Sequence, residues 1–279
     1  MNTKKKNIIF KVISCIILII CSLVVLYPIV YVVSTAFSPK MTASGSSILP
    51  FADGFSTVQF EKLFNETNYT LWFQNTLIVA IGTSIMTVIC CSLAAYVFSR
   101  FKFIFRKGMM MAMLILQIFP SFVGMFAIYV IVSRMKAYDQ LWALVLIYVA
   151  GNIPYNTWLV KSYLDTIPKS LDEAARIDGA NHLKIFFRVI LPMARPMIIF
   201  LTITSFTGPW MDYIYPKVIL GREQNYTLAI GLISFIDGTK IQFTTFAAGA
   251  FVICIPFIIF FVLSQKTMTT GLGAGAVKE

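Results

Sequence analysis

SLDEAARIDGANHLKIFFRVILP, residues 170–192, is a polar, helix-forming stretch set between two long apolar runs. Its neighbours decide the fold class. The 279-residue chain is 58% hydrophobic and 13% charged, which is not the balance of a soluble domain. Runs of about 18 or more apolar residues, enough to cross about 30 Å of hydrocarbon, recur along it. They fall at residues 10–36, 72–98, 109–132, 140–161, 196–216 and 244–264. The runs are continuous and lack the alternation of barrel strands, so helices are expected. The sequence predicts an all-α integral membrane protein with six transmembrane helices.

Lys and Arg set the orientation. With both termini on one side, that side holds 16 of the 23 basic residues and the other holds seven. Residues 1–9, the 165–192 loop and the 265–279 tail are therefore expected in the cytoplasm, with 37–71 and 217–243 outside. The net charge of +11 follows from topology, and no nucleic-acid partner is needed to explain it; membrane lipid is the expected surrounding. The first run follows Lys4–Lys6 like a signal peptide but exceeds the usual apolar core, so a retained anchor is expected. Tyr69, Trp72, Tyr138, Trp142, Tyr213 and Tyr215 cluster at the outer helix ends, as an interfacial belt would. The five cysteines fall in spans and read as small packing residues, not disulfides or metal ligands.

Several spans carry breakers: Gln117 and Pro120 in the third, Gly151, Asn152 and Pro154 in the fourth, Gly208-Pro209 in the fifth. Broken helices free backbone groups that need protein or water around them. Polar residues near such breaks, Asn152, Asn156 and Asp212, are candidates for a translocation path, and equally for helix glue or a wet interface. Trp210, Tyr213 and Tyr215 are suited to stacking on a sugar face, or to an interfacial belt or packing.

Within 170–192, Ser170 and Glu173 are spaced as a capping box, and Pro168 stops the preceding helix. Asp172 and Glu173 suit the dipole of the first turn. Ala174 and Ala175 keep one face small, and Gly179 is placed to end the helix in a left-handed cap. A second helix is expected from Asn181, with Leu183, Phe186, Phe187 and Ile190 on its apolar face and Pro192 closing it.

Glu173-Ala174-Ala175, Asp178-Gly179-Ala180, Val189 and Leu191-Pro192 together resemble the EAA loop of ABC importer permeases. Val189 stands where that family usually has Ile. The resemblance extends over nearly the whole chain to the MalG-like carbohydrate-uptake permeases of maltose and maltodextrin importers. Asp165-Thr166-Ile167-Pro168, Tyr226-Thr227-Leu228-Ala229-Ile230-Gly231 and the Gly/Ala tail from Gly271 to Lys278 carry that extension. It implies a MetI-like ABC type-1 permease fold, with residues 72–264 as the transmembrane domain. It also implies a cytoplasmic coupling helix that docks on an ATPase through Glu173, Ala174, Ala175, Asp178, Gly179, Ala180, Leu191 and Pro192. The tail residues Gly271, Leu272, Gly275 and Lys278 would reach the ATPases, and Asn225, Tyr226 and Thr227 an extracytoplasmic sugar-binding protein. A second, MalF-like permease and two copies of the ATPase complete the implied assembly in a bacterial cell membrane. This chain would bind no cofactor, ATP and Mg being used by the partner subunits.

No G-x-x-x-x-G-K-[ST] motif is present, so ATP would be hydrolysed elsewhere. An ion-coupled transporter would bury charge at mid-span and show repeats; the spans are almost free of charge. A membrane enzyme would need a catalytic cluster, and the one histidine, His182, lies in the loop. Other oligosaccharides or glycerol phosphate remain alternative cargoes.

Overall fold

The computed structural model describes residues 3–40, 47–119, 121–237 and 241–276. Among them every regular element is helical. The chain opens with α1 (Thr3–Ala36), α2 (Val58–Asn65), α3 (Tyr69–Arg100) and α4 (Arg106–Leu116), then a 3₁₀ turn Ser121–Gly124 and α5 (Met125–Arg134). There follow α6 (Leu141–Asp165), α7 (Ser170–Ile177), α8 (His182–Ile185), a π-turn Phe186–Ile190 and α9 (Leu191–Met193). Last come α10 (Arg195–Met211), α11 (Ile214–Ile219), a 3₁₀ turn Glu223–Asn225, α12 (Leu228–Ser234) and α13 (Phe243–Ala276).

Among the described residues, three helices are long and apolar enough to cross a membrane by themselves: Phe10–Ala36, Tyr69–Arg100 and Leu141–Asp165. The third predicted span, 109–132, is broken into α4 and α5, in keeping with Gln117 as a breaker; Pro120 lies outside the described residues. The fourth is not broken, and α6 runs straight through Pro154. A proline removes one ladder donor, and a packed membrane helix survives that loss. The fifth also continues past Gly208-Pro209 and stops at Asp212. There the Asp212 carboxylate accepts the Ile214 N–H at 2.8 Å, and the local bond replaces the next helical one.

The chain divides into two compact units. In the first, residues 1–69 with 232–255, Phe37 stacks on Phe55 and meets Phe60 and Phe251. Buried Gln59 donates to the carbonyls of Ser38 and Lys40 and accepts from Thr245. Every polar atom of that amide is thus used, as burial demands. Tyr69, expected in an interfacial belt, is instead buried and donates to Gly249 O at 2.9 Å.

The second unit, residues 70–231 with 256–279, is built on α3, α6 and α10. One apolar cluster gathers Cys91, Ala95, Leu164, Ile185, Ile190 and Leu201 around the 185–194 segment. The other gathers Val79, Val132, Leu144, Ile219 and Ile230 near the opposite helix ends. Between them Ser84 bonds the Thr202 carbonyl and Asn152 meets Thr87. Trp72 is also buried, not interfacial: its indole N–H donates to Glu223 O at 3.0 Å. Tyr138 and Trp142 are exposed, as a belt requires. Of the five cysteines only Cys91 is buried within the chain, and Cys15, Cys21 and Cys254 are exposed.

Gly231 shows why that position in the Tyr226–Gly231 stretch is a glycine. A Cβ there would stand 2.1 Å from a Trp72 ring carbon, which neither a large ring nor a helix backbone can relieve cheaply. Gly231→Ala is expected to destabilise the protein by about 1–3 kcal/mol. Thermal unfolding of the purified variant checks this, and an unchanged midpoint would refute the packing.

Candidate functional site

The 165–192 loop begins where α6 ends. Ser99 donates to Asp165 at 2.7 Å, and Lys161 pairs with the same carboxylate. Arg100, the last residue of α3, donates to the carbonyls of Leu164 and Ile167, both at 3.1 Å. Its Nε stands 2.9 Å from Asp172 Oδ2, with the two side chains only 4% and 7% exposed. The contact is between charges: neither Nε nor the carboxylate oxygens have an aligned hydrogen bond. Asp172, expected only to suit the helix dipole, instead fastens α7 to the end of a long membrane helix.

The expected capping box does not form. Lys169 occupies the cap position without a side-chain bond, and Pro168 O already accepts the Leu171 N–H. The turn thus starts before Ser170, whose hydroxyl is no longer placed to cap. The Glu173 side chain is left exposed, with no hydrogen bond or ion pair among the described residues. Gly179 does take the left-handed conformation, φ +77°. Its N–H bonds Arg176 O and that of Ala180 bonds Ala175 O, both at 2.9 Å, a Schellman cap. Asn181 then caps the next turn by accepting the Lys184 N–H at 2.9 Å.

From there the register shifts. The π-turn rotates the chain so that Ile185, Phe186 and Ile190 are buried, while Leu183 and Phe187 are exposed. Pro192 does not close the segment: helix continues to Met193, then bends by 81° into Arg195–Met211. Proline is tolerated in the first turn of a helical piece, where its missing N–H is not needed. On α7, Asp172 and Ala175 face inward while Glu173, Ala174 and Asp178 are exposed. Ile177 is 87% exposed, an apolar side chain between exposed Arg176 and Asp178. Ala180 and Leu191 pack inward, and Pro192 is exposed.

Asn152 and Asp212 line one cavity of about 300 Å³ together with Tyr148, Thr204 and Tyr215. Tyr148 donates its hydroxyl to Asp212 at 2.7 Å. The other path candidates separate from it. Asn156 is buried and donates to Asn152 O. Trp210 is 1% exposed, enclosed by Phe73, Phe206 and Phe257, so its ring is not available to a solute. Tyr213 is not in the cavity lining.

In the 217–243 segment Thr227 is 1% exposed and therefore offers no surface to a partner. Asn225 and Tyr226 are half-buried, and residues 221–224 are the exposed ones. Asp139 anchors this segment: its Oδ1 accepts the N–H groups of Gly221 (3.0 Å) and Arg222 (3.1 Å), and its Oδ2 pairs with the Arg222 guanidinium. Asn225 donates to the Asp139 carbonyl at 2.9 Å. Burial opposes the Asp139 charge, but these donors outweigh it and bring the carboxyl down to about 2. In the tail, Gly271, Leu272 and Gly275 belong to α13, and Lys278 lies outside the described residues.

Comparison with known proteins places this geometry. Residues 87–268, which include the whole loop, match the model of the family described as binding-protein-dependent transport system inner membrane component. The chain belongs to this family. It is a membrane transport component and not an enzyme. The maltodextrin transport system permease protein MdxG of Bacillus subtilis (strain 168) is 38% identical over 279 residues, all of both chains. MalD, a maltodextrin transport system permease protein of Streptococcus pneumoniae (strain ATCC BAA-255 / R6), is 36% identical over 92% of this chain and 91% of its own. Among solved structures, a chain of a bacterial ABC transporter involved in the import of the acidic polysaccharide alginate superposes with a TM-score of 0.82 at 22% identity. That match covers 95% of this chain and 98% of the other. The fold is thus that of the family's permeases, with the polar loop in place.

Two predictions follow from the anchors. Arg100→Gln or Asp172→Asn alone leaves the other charge buried and is expected to cost about 3–5 kcal/mol, read as a lower unfolding midpoint. Near-normal midpoints in both would show that the pair contributes nothing. Asp139 has its folded carboxyl near 2, below an unfolded value of about 3.9. Its stabilisation is therefore complete above about pH 4 and is lost as pH falls toward about 2. The gap in unfolding midpoint between the protein and Asp139→Asn should close over that window; a gap independent of pH would contradict the assignment.

Proposed function

We propose that this chain is one permease subunit of an ATP-driven, binding-protein-dependent oligosaccharide importer, with a maltodextrin as cargo. Relatives named as maltodextrin permeases, matched over nearly their full length, support the cargo. A galactooligosaccharide permease, GanQ of Bacillus subtilis (strain 168), is 35% identical over 95% of the chain, so the cargo class is oligosaccharide before it is any one linkage. The proposed topology has six spans, both termini and the 165–192 loop being cytoplasmic; the broken α4–α5 pair and the bent α8–α10 unit count as spans alongside the three long helices and α13.

The observation that carries the mechanism is α7: a short helix rigidly tied inward through Asp172, with Glu173, Ala174 and Ile177 presented outward. In this reading Ile177 and the small Ala174 face enter a socket on an ATP-hydrolysing partner, and Glu173 meets a basic or N–H donor there. Closure of two such partners around ATP and Mg displaces α7. The displacement passes through Arg100 to α3 and through the packed 185–194 segment to α10. Helices sharing that core move as units, because packed interfaces rearrange between discrete arrangements and do not stretch. A second permease supplies the other wall of the path, and the cavity at Asn152 and Asp212 lies on this chain's side of it. The exposed 221–224 turn is offered to the sugar-binding protein.

Gly179→Pro, which φ +77° forbids, and Glu173→Lys are expected to leave membrane insertion intact while uptake of a labelled maltodextrin falls by about tenfold or more. The measurement is uptake together with co-purification of the ATPase. Normal uptake in both variants would overturn the coupling role of this loop.

A further inference from the structure

A second cavity, of about 700 Å³, opens beside the α3–α4 turn. The residues lining it include the cations Lys102, Arg106 and Lys107 and the apolar Met111, Leu114 and Trp158. Lys102, Arg106 and Lys107 form no ion pair among the described residues. Lys161, in the same lining, is already committed to Asp165 and sits over the Trp158 ring. Four cations against one carboxylate leave the mouth electropositive. The Trp158 indole N–H is fixed on Met110 O at 2.9 Å, so the ring adds apolar surface to the lining and no spare donor. Next to the mouth, Ile104 is 93% exposed and Phe103 and Phe105 are exposed with it. An excess of cations beside exposed aromatic and aliphatic groups, at the end of a membrane helix, is the arrangement of a lipid headgroup site.

We propose that this groove holds one anionic phospholipid, its phosphate on Lys102, Arg106 and Lys107 and an acyl chain along Met111, Leu114 and Trp158. Charge complementarity selects the occupant. A zwitterionic lipid would bring its own cation to a mouth where four cations already face one carboxylate, and a protein segment would need acidic residues and an extended apolar strip together. The site rests on the proposed topology, which puts the α3–α4 turn at the Lys/Arg-rich face of the membrane.

The test uses the full-length chain extracted with its co-purifying subunits and exchanged into detergent with equal phosphatidylglycerol and phosphatidylcholine. Native mass spectrometry is expected to show one phosphatidylglycerol retained per chain, with phosphatidylcholine displaced and added inorganic phosphate without effect. Each cation removed should weaken retention about fivefold, so Lys102→Gln/Arg106→Gln/Lys107→Gln should lower it on the order of a hundredfold. Equal retention of the two lipids, or an unchanged triple variant, would overturn the site. So would a photoreactive residue at Met111 that captures a protein subunit in place of lipid. The topology is read separately, by labelling Phe105→Cys with a membrane-impermeant thiol reagent in sealed cells. Protection there with no lipid retained sinks the site alone, whereas labelling sinks the topology.

Discussion

The pair of Arg100 and Asp172 is the constraint on which the rest of the second unit depends. Burying two charges is costly, and their mutual attraction repays that only when the surrounding groups hold them still. Here they are held: the Arg100 guanidinium also takes two carbonyls at the end of α6. One side chain thereby fixes the ends of α3 and α6 and the start of α7 against each other. The Schellman cap at Gly179, the Asn181 cap and the core around Ile185 and Ile190 then set where the chain re-enters the helix bundle. Remove the pair, and α7 is left as an eight-residue helix, too short to hold by itself and with nothing to push against.

This arrangement separates two jobs that sequence patterns tend to merge. The inward face of α7 is spent on Asp172 and Ala175, and the outward face is left to Glu173, Ala174 and Ile177. Because Glu173 has no capping duty, its charge is free for a partner. The π-turn after α8 serves the same end. It rotates Ile185, Phe186 and Ile190 into the core while leaving Leu183 and Phe187 outside. Exposed apolar side chains on a segment next to α7 enlarge the patch available for docking.

Much of this was legible in the sequence, for identifiable reasons. Continuous apolar runs report membrane helices because the bilayer imposes length, and Gly179 reports a left-handed cap because little else fits there. What stayed hidden depended on residues distant in the chain. Nothing local marks Arg100 as the partner of Asp172, or Asp139 as the anchor of residues 221–225. Tyr69, Trp72 and Trp210 looked like belt or sugar-stacking residues, since a sequence shows an aromatic ring but not what surrounds it. The prolines misled in the opposite direction. Pro154 and Pro209 read as breaks, yet tertiary packing carries α6 and α10 through them, while Asp212 makes the stop with its own side chain.

On the proposed function, the outward face of α7 is the point at which an ATP-hydrolysing subunit drives this chain. A photoreactive amino acid placed at Ile177 in the assembled transporter tests it most directly. A crosslink to the ATP-hydrolysing subunit is expected, with a yield that changes when ATP is bound and hydrolysis is blocked. A crosslink to lipid or to the second permease alone, with none to the ATP-hydrolysing subunit in any nucleotide state, would contradict it.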